Sequence, residues 1–209
     1  MSNGKERSIV LLRHSITAGN LVGRYIGTTD EPLCPEGTQL LKMKKMPEAE
    51  LVYTSPMKRC KETAALLWPG ISQKIIESLR ECDFGEFENK NYKELNGNPK
   101  YQAWVDSCGA LPFPGGESQE QFRLRCRNGF LEAVKDMEEK DIETAAMVCH
   151  GGTIMSILEP WGLPKKDFYG WQVKNAEGFF IRLPGDWKPG KTFPAAPLRK
   201  SNIWLTFEE

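Results

Sequence analysis

Ser8-Ile9-Val10-Leu11-Leu12-Arg13-His14 is the stretch on which the fold turns. Its run of β-branched and leucine residues fits a short strand buried on both faces, as strands of parallel sheets are. The run stops abruptly at Arg13-His14, where the chain must leave the sheet. Thr144-Ala145-Ala146-Met147-Val148-Cys149 reads the same way and stops at His150-Gly151-Gly152. His14 and His150 are the only two histidines in the chain. In open α/β sheets ligands bind at the carboxyl edge of the strands. If these two strands are neighbours, the imidazoles face one another across one crevice; two unrelated loop histidines are the plainer reading.

Working outward, Leu51 to Thr54 and Ile71 to Ile76 read as further strands, with Gly178 to Leu183 and Asn202 to Phe207 as late ones flanking a loop rich in proline and glycine. Glu36 to Lys45 reads as a helix. Ser55-Pro56 supplies a cap residue and a proline at the first helical position, predicting a helix to about Leu67. Ser118-Gln119-Glu120-Gln121 resembles a capping box, and Phe122, Cys126, Phe130, Val134 and Met137 follow at helical spacing. Thr153 to Leu158 looks helical. Alternating strands and helices predict one domain over residues 1–209, a three-layer α/β/α sandwich with a mainly parallel central sheet. The aromatic stretch Glu81 to Pro114, punctuated by proline and glycine, is expected to form an insertion over the active-site edge, at about residues 85–116.

Lys plus Arg and Asp plus Glu each total 28, so the net charge is zero and no polyanionic partner is implied. Nucleic acid is not expected, and an anion would need a local cluster of cations. The longest apolar runs are too short for a membrane span or a signal segment, so a cytoplasmic protein that does not engage membranes is expected. The six cysteines contain no C-x-x-C spacing, which removes zinc ribbons and thioredoxin-type redox motifs and fits reduced thiols.

Arg13 beside His14 can fork onto a phosphate or carboxylate. Gly151-Gly152 lets backbone N–H groups approach an anion at a helix start, or forms a tight turn and nothing more. Arg59 lies near the start of its helix with Thr63 one turn later; it either projects into the same crevice or is a solvated surface residue.

At these residues the chain resembles a known family. Leu11-Leu12-Arg13-His14-Ser15-Ile16-Thr17-Ala18-Gly19-Asn20 is similar to the opening signature of the histidine phosphatase superfamily, in its phosphoglycerate mutase-like branch. Ser55-Pro56-Met57-Lys58-Arg59-Cys60-Lys61-Glu62-Thr63-Ala64 resembles the second motif, Leu79 to Glu88 the third, and Val148-Cys149-His150-Gly151-Gly152 the last. The third motif also looks like that of α-ribazole phosphatases and broad-specificity acid phosphatases. The resemblance implies phosphoryl transfer through a phosphohistidine. His14 would be the nucleophile. Arg13, Arg59 and His150, assisted by Asn20 and the Gly151 amide, would hold the phosphoryl oxygens. Glu81 would protonate the leaving alkoxide and then activate water. No metal and no cofactor are implied; the partner is a small-molecule phosphate ester, and a homodimer is compatible with the chain.

Elementary chemistry points the same way. A transferring phosphoryl group spreads charge over its equatorial oxygens, so it needs a ring of fixed cations and an in-line nucleophile. Cations around a histidine disfavour its protonated form, which keeps its attacking nitrogen free, while a carboxyl beside a bound phosphate holds its proton. The sequence departs from the family pattern at Ser15, Ile16 and Asn89. Asp83, two residues from Glu81, is either a substitute acid or a turn-capping aspartate.

Competing chemistries are testable by spacing. A cysteine phosphatase needs Arg six residues after its cysteine, but those positions hold Leu40, Leu66, Glu88, Pro114, Glu132 and Met155. Neither a D-x-D pair nor a P-loop exists. A mutase-type transfer is the main alternative; against it, Asn89 to Pro114 contains no arginine, although Lys90, Lys93 and Lys100 are present. Tyr92, Tyr101, Trp104 and Phe113 either suit a bulkier, less acidic substrate or merely pack the insertion. A non-catalytic phosphate-binding module and a metal-binding protein complete the alternatives.

Overall fold

In the computed structural model, residues 4–198 are described, and a seven-stranded sheet organises them. Along the chain run β1 (Arg7–Arg13), α1 (Ala18–Leu21), α2 (Pro35–Lys42), β2 (Leu51–Thr54), α3 (Lys58–Leu67), β3 (Gln73–Ile75), α4 (Pro99–Asp106), α5 (Gln119–Glu139), β4 (Thr144–Cys149), α6 (Gly151–Trp161), β5 (Gly162–Leu163), β6 (Gly178–Leu183) and β7 (Phe193–Pro197). The strand order is β3-β2-β4-β1-β6-β7-β5. Only β6 runs against the rest, pairing antiparallel with β1 and β7.

β1 shows why its residues choose a strand. Ile9 and Leu11 face one core with residues of α5 and α6, while Val10 and Leu12 face a second core with residues of α3. All four are buried, so alternation serves two cores rather than one core and solvent. Burial of each such side chain contributes about 1.5–3 kcal/mol. Sheet and helix layers form the expected sandwich. Cys82, Phe87, Leu95 and Phe113 form a third cluster with Phe122 and Cys126 of α5, and Tyr25, Phe84, Tyr101 and Trp104 pack against it.

Three expectations need correction. The helix expected from Ser55-Pro56 begins at Lys58, and Met57 caps it without a side-chain bond. Within the loop expected to be free of regular structure lies β7, whose Ala195 and Ala196 pair with Ile181 and Phe180. Pro194 and Pro197 mask it in the sequence, because proline donates no ladder hydrogen bond. The strand expected at Asn202 to Phe207 lies outside the described residues. The helix at Glu36 to Lys45 ends at Lys42, and no described helix is long and apolar enough to cross a membrane.

Candidate active site

The parallel register of β1 and β4, with Arg13 opposite Cys149, brings both histidines to the same height at the carboxyl edge. Their ring centroids are 5.2 Å apart at an interplanar angle of 66°. The His14 amide donates to the Cys149 carbonyl at 2.9 Å, which locks the first loop onto β4. His14 Nδ1 lies 2.6 Å from the Ser15 carbonyl oxygen. A carbonyl can only accept, so Nδ1 carries the proton and Nε2 keeps its lone pair. Burial, then the charges of Arg59 and Arg13, hold the His14 imidazole well below its ordinary pKa, so the ring stays neutral.

His150 is fully buried at the cap position of α6, and its Nε2 is 2.8 Å from Ser55 Oγ. The same Ser55 hydroxyl accepts the Met57 amide at 3.4 Å, just ahead of α3. Burial and Arg59 again push the ring pKa well down.

Arg59 is fully buried, yet it faces carbonyls rather than carboxylates. Nη1 donates to Thr29 O at 2.8 Å, and Nη2 donates to Gly27 O at 3.0 Å and Ile26 O at 3.2 Å. Arg13 donates from Nη1 to Val173 O at 2.8 Å. Each guanidinium has a buried Nε–H with no acceptor. Arg24, Arg123, Arg125 and Arg127 sit in ion pairs with carboxylates, whereas Arg13 and Arg59 are in none among the described residues. Two uncompensated cations therefore flank the nucleophile candidate, an arrangement that is costly unless an anion arrives. Burial works against the Arg13 charge and Glu81 supports it.

Glu81 lines the same cavity as Arg13 and the Gly151-Gly152 turn. Its Oε1 accepts the Cys82 amide at 3.0 Å, and burial raises its pKa against the pull of that bond and of Arg59, Arg13 and Arg125. Gly152 leaves room for it: a Cβ there would come within 2.9 Å of Glu81 Oε1 and 2.8 Å of Phe122. Arg125 holds the segment that carries Glu81, donating to the carbonyls of Ser78 at 3.0 Å, Arg80 at 2.9 Å and Glu81 at 3.2 Å while pairing with Glu117 at 2.6 Å. Asp83 Oδ1 accepts the Gly85 amide at 2.9 Å, the geometry of a turn cap.

Asn20 belongs to a capping box with Thr17. Its Oδ1 accepts from the Thr17 amide at 3.3 Å and from Asn175 Nδ2 at 3.0 Å. Its backbone N–H donates to Thr17 Oγ1 at 3.3 Å, while its side-chain Nδ2 has no acceptor among the described residues. The departures from the family pattern are accommodated. Buried Ser15 donates from Oγ to Gly37 O at 2.8 Å. Asn89 adopts φ 57°, a left-handed conformation that asparagine tolerates.

Sequence reading missed the supporting roles of several side chains. Asn175 Nδ2 also donates to the carbonyls of His14 at 3.2 Å and Ser15 at 3.3 Å, which no local pattern announces. Thr63 accepts the Ser15 amide at 3.0 Å and donates to Arg59 O at 2.7 Å, tying α3 to the first loop. Glu88 acts one layer further out. Its Oε1 accepts the amides of Gly27 at 2.8 Å and Thr29 at 2.9 Å, fixing the loop whose carbonyls aim Arg59. That loop is tightly confined: a Cβ on Gly27 would lie 1.9 Å from the Cys82 carbonyl oxygen. Glu88→Ala is therefore expected to raise KM for a phosphate ester about tenfold with a smaller effect on kcat, and Glu88→Gln, which keeps an acceptor, to recover most of the loss. An unchanged KM in the alanine variant removes this positioning role.

The chain matches the model of the histidine phosphatase superfamily (branch 1) over residues 9–186. An acid phosphatase of Mycobacterium tuberculosis is 26% identical over 187 residues, covering 86% of this chain and 83% of the relative. A 2,3-bisphosphoglycerate-dependent phosphoglycerate mutase 2 of Gloeobacter violaceus is 28% identical over 166 residues, covering 72% and 73%. The crystal structure of the α-ribazole phosphatase of Shigella flexneri superposes with a TM-score of 0.74 at 23% identity, covering 90% of this chain and 95% of that one, and so shares the fold. With both histidines at the shared edge of β1 and β4, and the family model spanning 178 of the 209 residues, the chain belongs to the histidine phosphatase superfamily.

Proposed function

We propose that the protein hydrolyses phosphate monoesters through a phosphohistidine on His14. The observation that carries this reading is a histidine whose Nδ1 is committed to a backbone carbonyl, which leaves the lone pair on Nε2, flanked by the buried Arg59 and the half-buried Arg13 guanidinium groups, neither paired with a carboxylate among the described residues. The phosphoryl group would replace solvent among Arg13, Arg59, His150, Asn20 and the Gly151 amide. His14 Nε2 attacks phosphorus as the bond to the ester oxygen breaks, and Glu81 delivers its proton to the departing alkoxide. The carboxylate left behind takes a proton from water, whose oxygen attacks the phosphohistidine. Inorganic phosphate leaves, and both His14 and protonated Glu81 are regenerated. Fixed cations stabilise the equatorial charge throughout, which is the largest contribution in reactions of this type.

Hydrolysis is preferred over mutase-type transfer because the insertion offers few free cations for a second acidic group. Lys100 pairs with Glu86 at 2.6 Å, Lys90 donates to Glu86 O at 2.8 Å, and Arg24, reaching over from the first loop, pairs with Glu94 at 2.7 Å. Purified protein is expected to hydrolyse p-nitrophenyl phosphate in EDTA at more than about half its untreated rate, since the cations already present do the electrostatic work. Loss of activity that zinc or magnesium restores would overturn the metal-independent mechanism. Release of inorganic phosphate from 3-phosphoglycerate plus its bisphosphorylated cofactor, against isomerisation of it, separates hydrolysis from transfer.

A further inference from the structure

A cavity of about 350 Å³ opens from Arg13, Glu81 and the Gly151-Gly152 turn, in the direction a leaving group must point. This is at the lower end of the about 300–1,000 Å³ typical of small-molecule sites. Two groups of aromatic side chains, drawn from three separate stretches of chain, wall it. On one side, Tyr25, Phe84, Trp104 and Phe113 form a pre-packed aromatic face. Phe84 lies 5.3 Å from Tyr25 and 5.0 Å from Phe113, and Trp104 stacks on Phe113 at 5.0 Å and 29°. On the other side are Phe168 and Tyr169, with Tyr169 59% exposed.

Beyond the phosphate end, the one charged side chain on these walls is Arg123. Both terminal nitrogens are already engaged, and its buried Nε–H has no acceptor. Nη1 donates to both Glu159 oxygens, at 3.1 and 3.3 Å, and Nη2 donates to Gln119 Oε1 at 3.0 Å. The guanidinium carbon sits 3.9 Å from the centre of the Phe168 ring, which covers one face of the cation. Arg127, outside this cavity, shares Glu159 from another side at 3.0 Å. An entering carboxylate must displace Glu159, or reach only the buried Nε–H of Arg123 while sharing that cation with Glu159 and lying against aromatic rings, and either course is unfavourable. An uncharged ring meets aromatic side chains from both groups and needs no counter-charge.

We infer that the leaving alcohol this site prefers carries an uncharged aromatic ring, and that the Arg123–Glu159 pair turns carboxylated alcohols away. The inference rests on the phosphatase reading, and the two fail separately. Hydrolysis of p-nitrophenyl phosphate through a labelled enzyme intermediate reports the chemistry; if both are absent, the phosphatase reading itself falls.

The specificity is tested with 2-phenylethyl phosphate, propyl phosphate and O-phosphoserine, all esters of primary alcohols. In the unaltered protein, kcat/KM for 2-phenylethyl phosphate is expected to exceed that for propyl phosphate about tenfold, with O-phosphoserine about tenfold below propyl phosphate. Glu159→Gln removes the counter-charge while keeping an amide acceptor. It is expected to raise kcat/KM for O-phosphoserine relative to propyl phosphate about tenfold, leaving the preference for the phenyl ring in place. Tyr169→Ala, at an exposed position where folding is not at stake, is expected to lower the phenylethyl-to-propyl ratio about threefold. O-Phosphoserine equal to or ahead of 2-phenylethyl phosphate in the unaltered protein overturns the inference. So does a Glu159→Gln variant whose discrimination against O-phosphoserine is unchanged.

Discussion

His14→Ala is expected to lower kcat by about 10⁴- to 10⁶-fold, the scale of losing a covalent nucleophile. The remaining groups still bind phosphate, so inorganic phosphate or vanadate should continue to raise the melting temperature of the variant. Chemistry, not binding, is what disappears. The phosphoenzyme provides the direct reading. Brief mixing with a ³²P-labelled ester and quenching in base should leave label on the unaltered protein, and mild acid should release it, because a phosphoramidate is acid-labile and base-stable. The variant should carry none. Label that persists in His14→Ala at the level of the unaltered protein would place the nucleophile elsewhere, and His150 is a poor substitute because Ser55 already holds its Nε2 at 2.8 Å.

Glu81→Gln is expected to slow esters of ordinary alcohols about 10²- to 10⁴-fold, the range associated with a positioned general acid. p-Nitrophenyl phosphate should suffer less, since its leaving group needs little protonation. An equal loss across leaving groups would refute the acid role. The pH dependence follows from the direction of two shifts. Glu81 titrates above its ordinary value, so the protonated form persists further toward neutrality, and the rate should fall as pH rises through that raised pKa. This alkaline limb should vanish in Glu81→Gln. His14 titrates well below its ordinary value, so its protonation should not limit the rate near pH 6.5.

Stability shows the opposing signs. A carboxyl whose folded pKa is raised contributes stability that is full below its unfolded value, near 4.3, and lost as pH rises through the folded one. At neutral pH the buried Glu81 is thus a liability, and Glu81→Gln should melt about 2–4 °C higher while turning over more slowly. Calorimetry at pH 7.5 checks this. His14 and His150 have lowered folded pKa values. Their contribution is full above the unfolded value near 6.5 and is lost as pH falls from there toward the folded value.

Much of this site is readable from the sequence where one strand decides one residue. β1 and β4 are apolar on both faces, so their burial follows from composition, and each delivers its histidine by simply ending. Arg59 is readable as a candidate but not as buried. Its environment is made of the carbonyls of Ile26, Gly27 and Thr29, and backbone carbonyls carry no sequence signature. Ser55 misleads for a related reason: a hydroxyl ahead of a helix suits a cap, and only the tertiary fold shows it bonded to His150. Asn175 is hidden altogether, because what it bonds is the backbone of a loop 160 residues earlier. β7 is hidden by its prolines. In each case the local preference is real and a long-range contact overrides it.

The pairing of β1 with β4 also dictates when the site can exist. Its two histidines are 136 positions apart, and the ladder that aligns them closes the intervening chain into one loop. Such distant pairings form slowly, because their loop-closure entropy must be met before their contacts form. During synthesis the first motif is complete after about twenty residues but has no partner strand until Cys149 has emerged. Phosphate affinity should therefore appear late and all at once in refolding, which makes a bound oxyanion a reporter of completed topology.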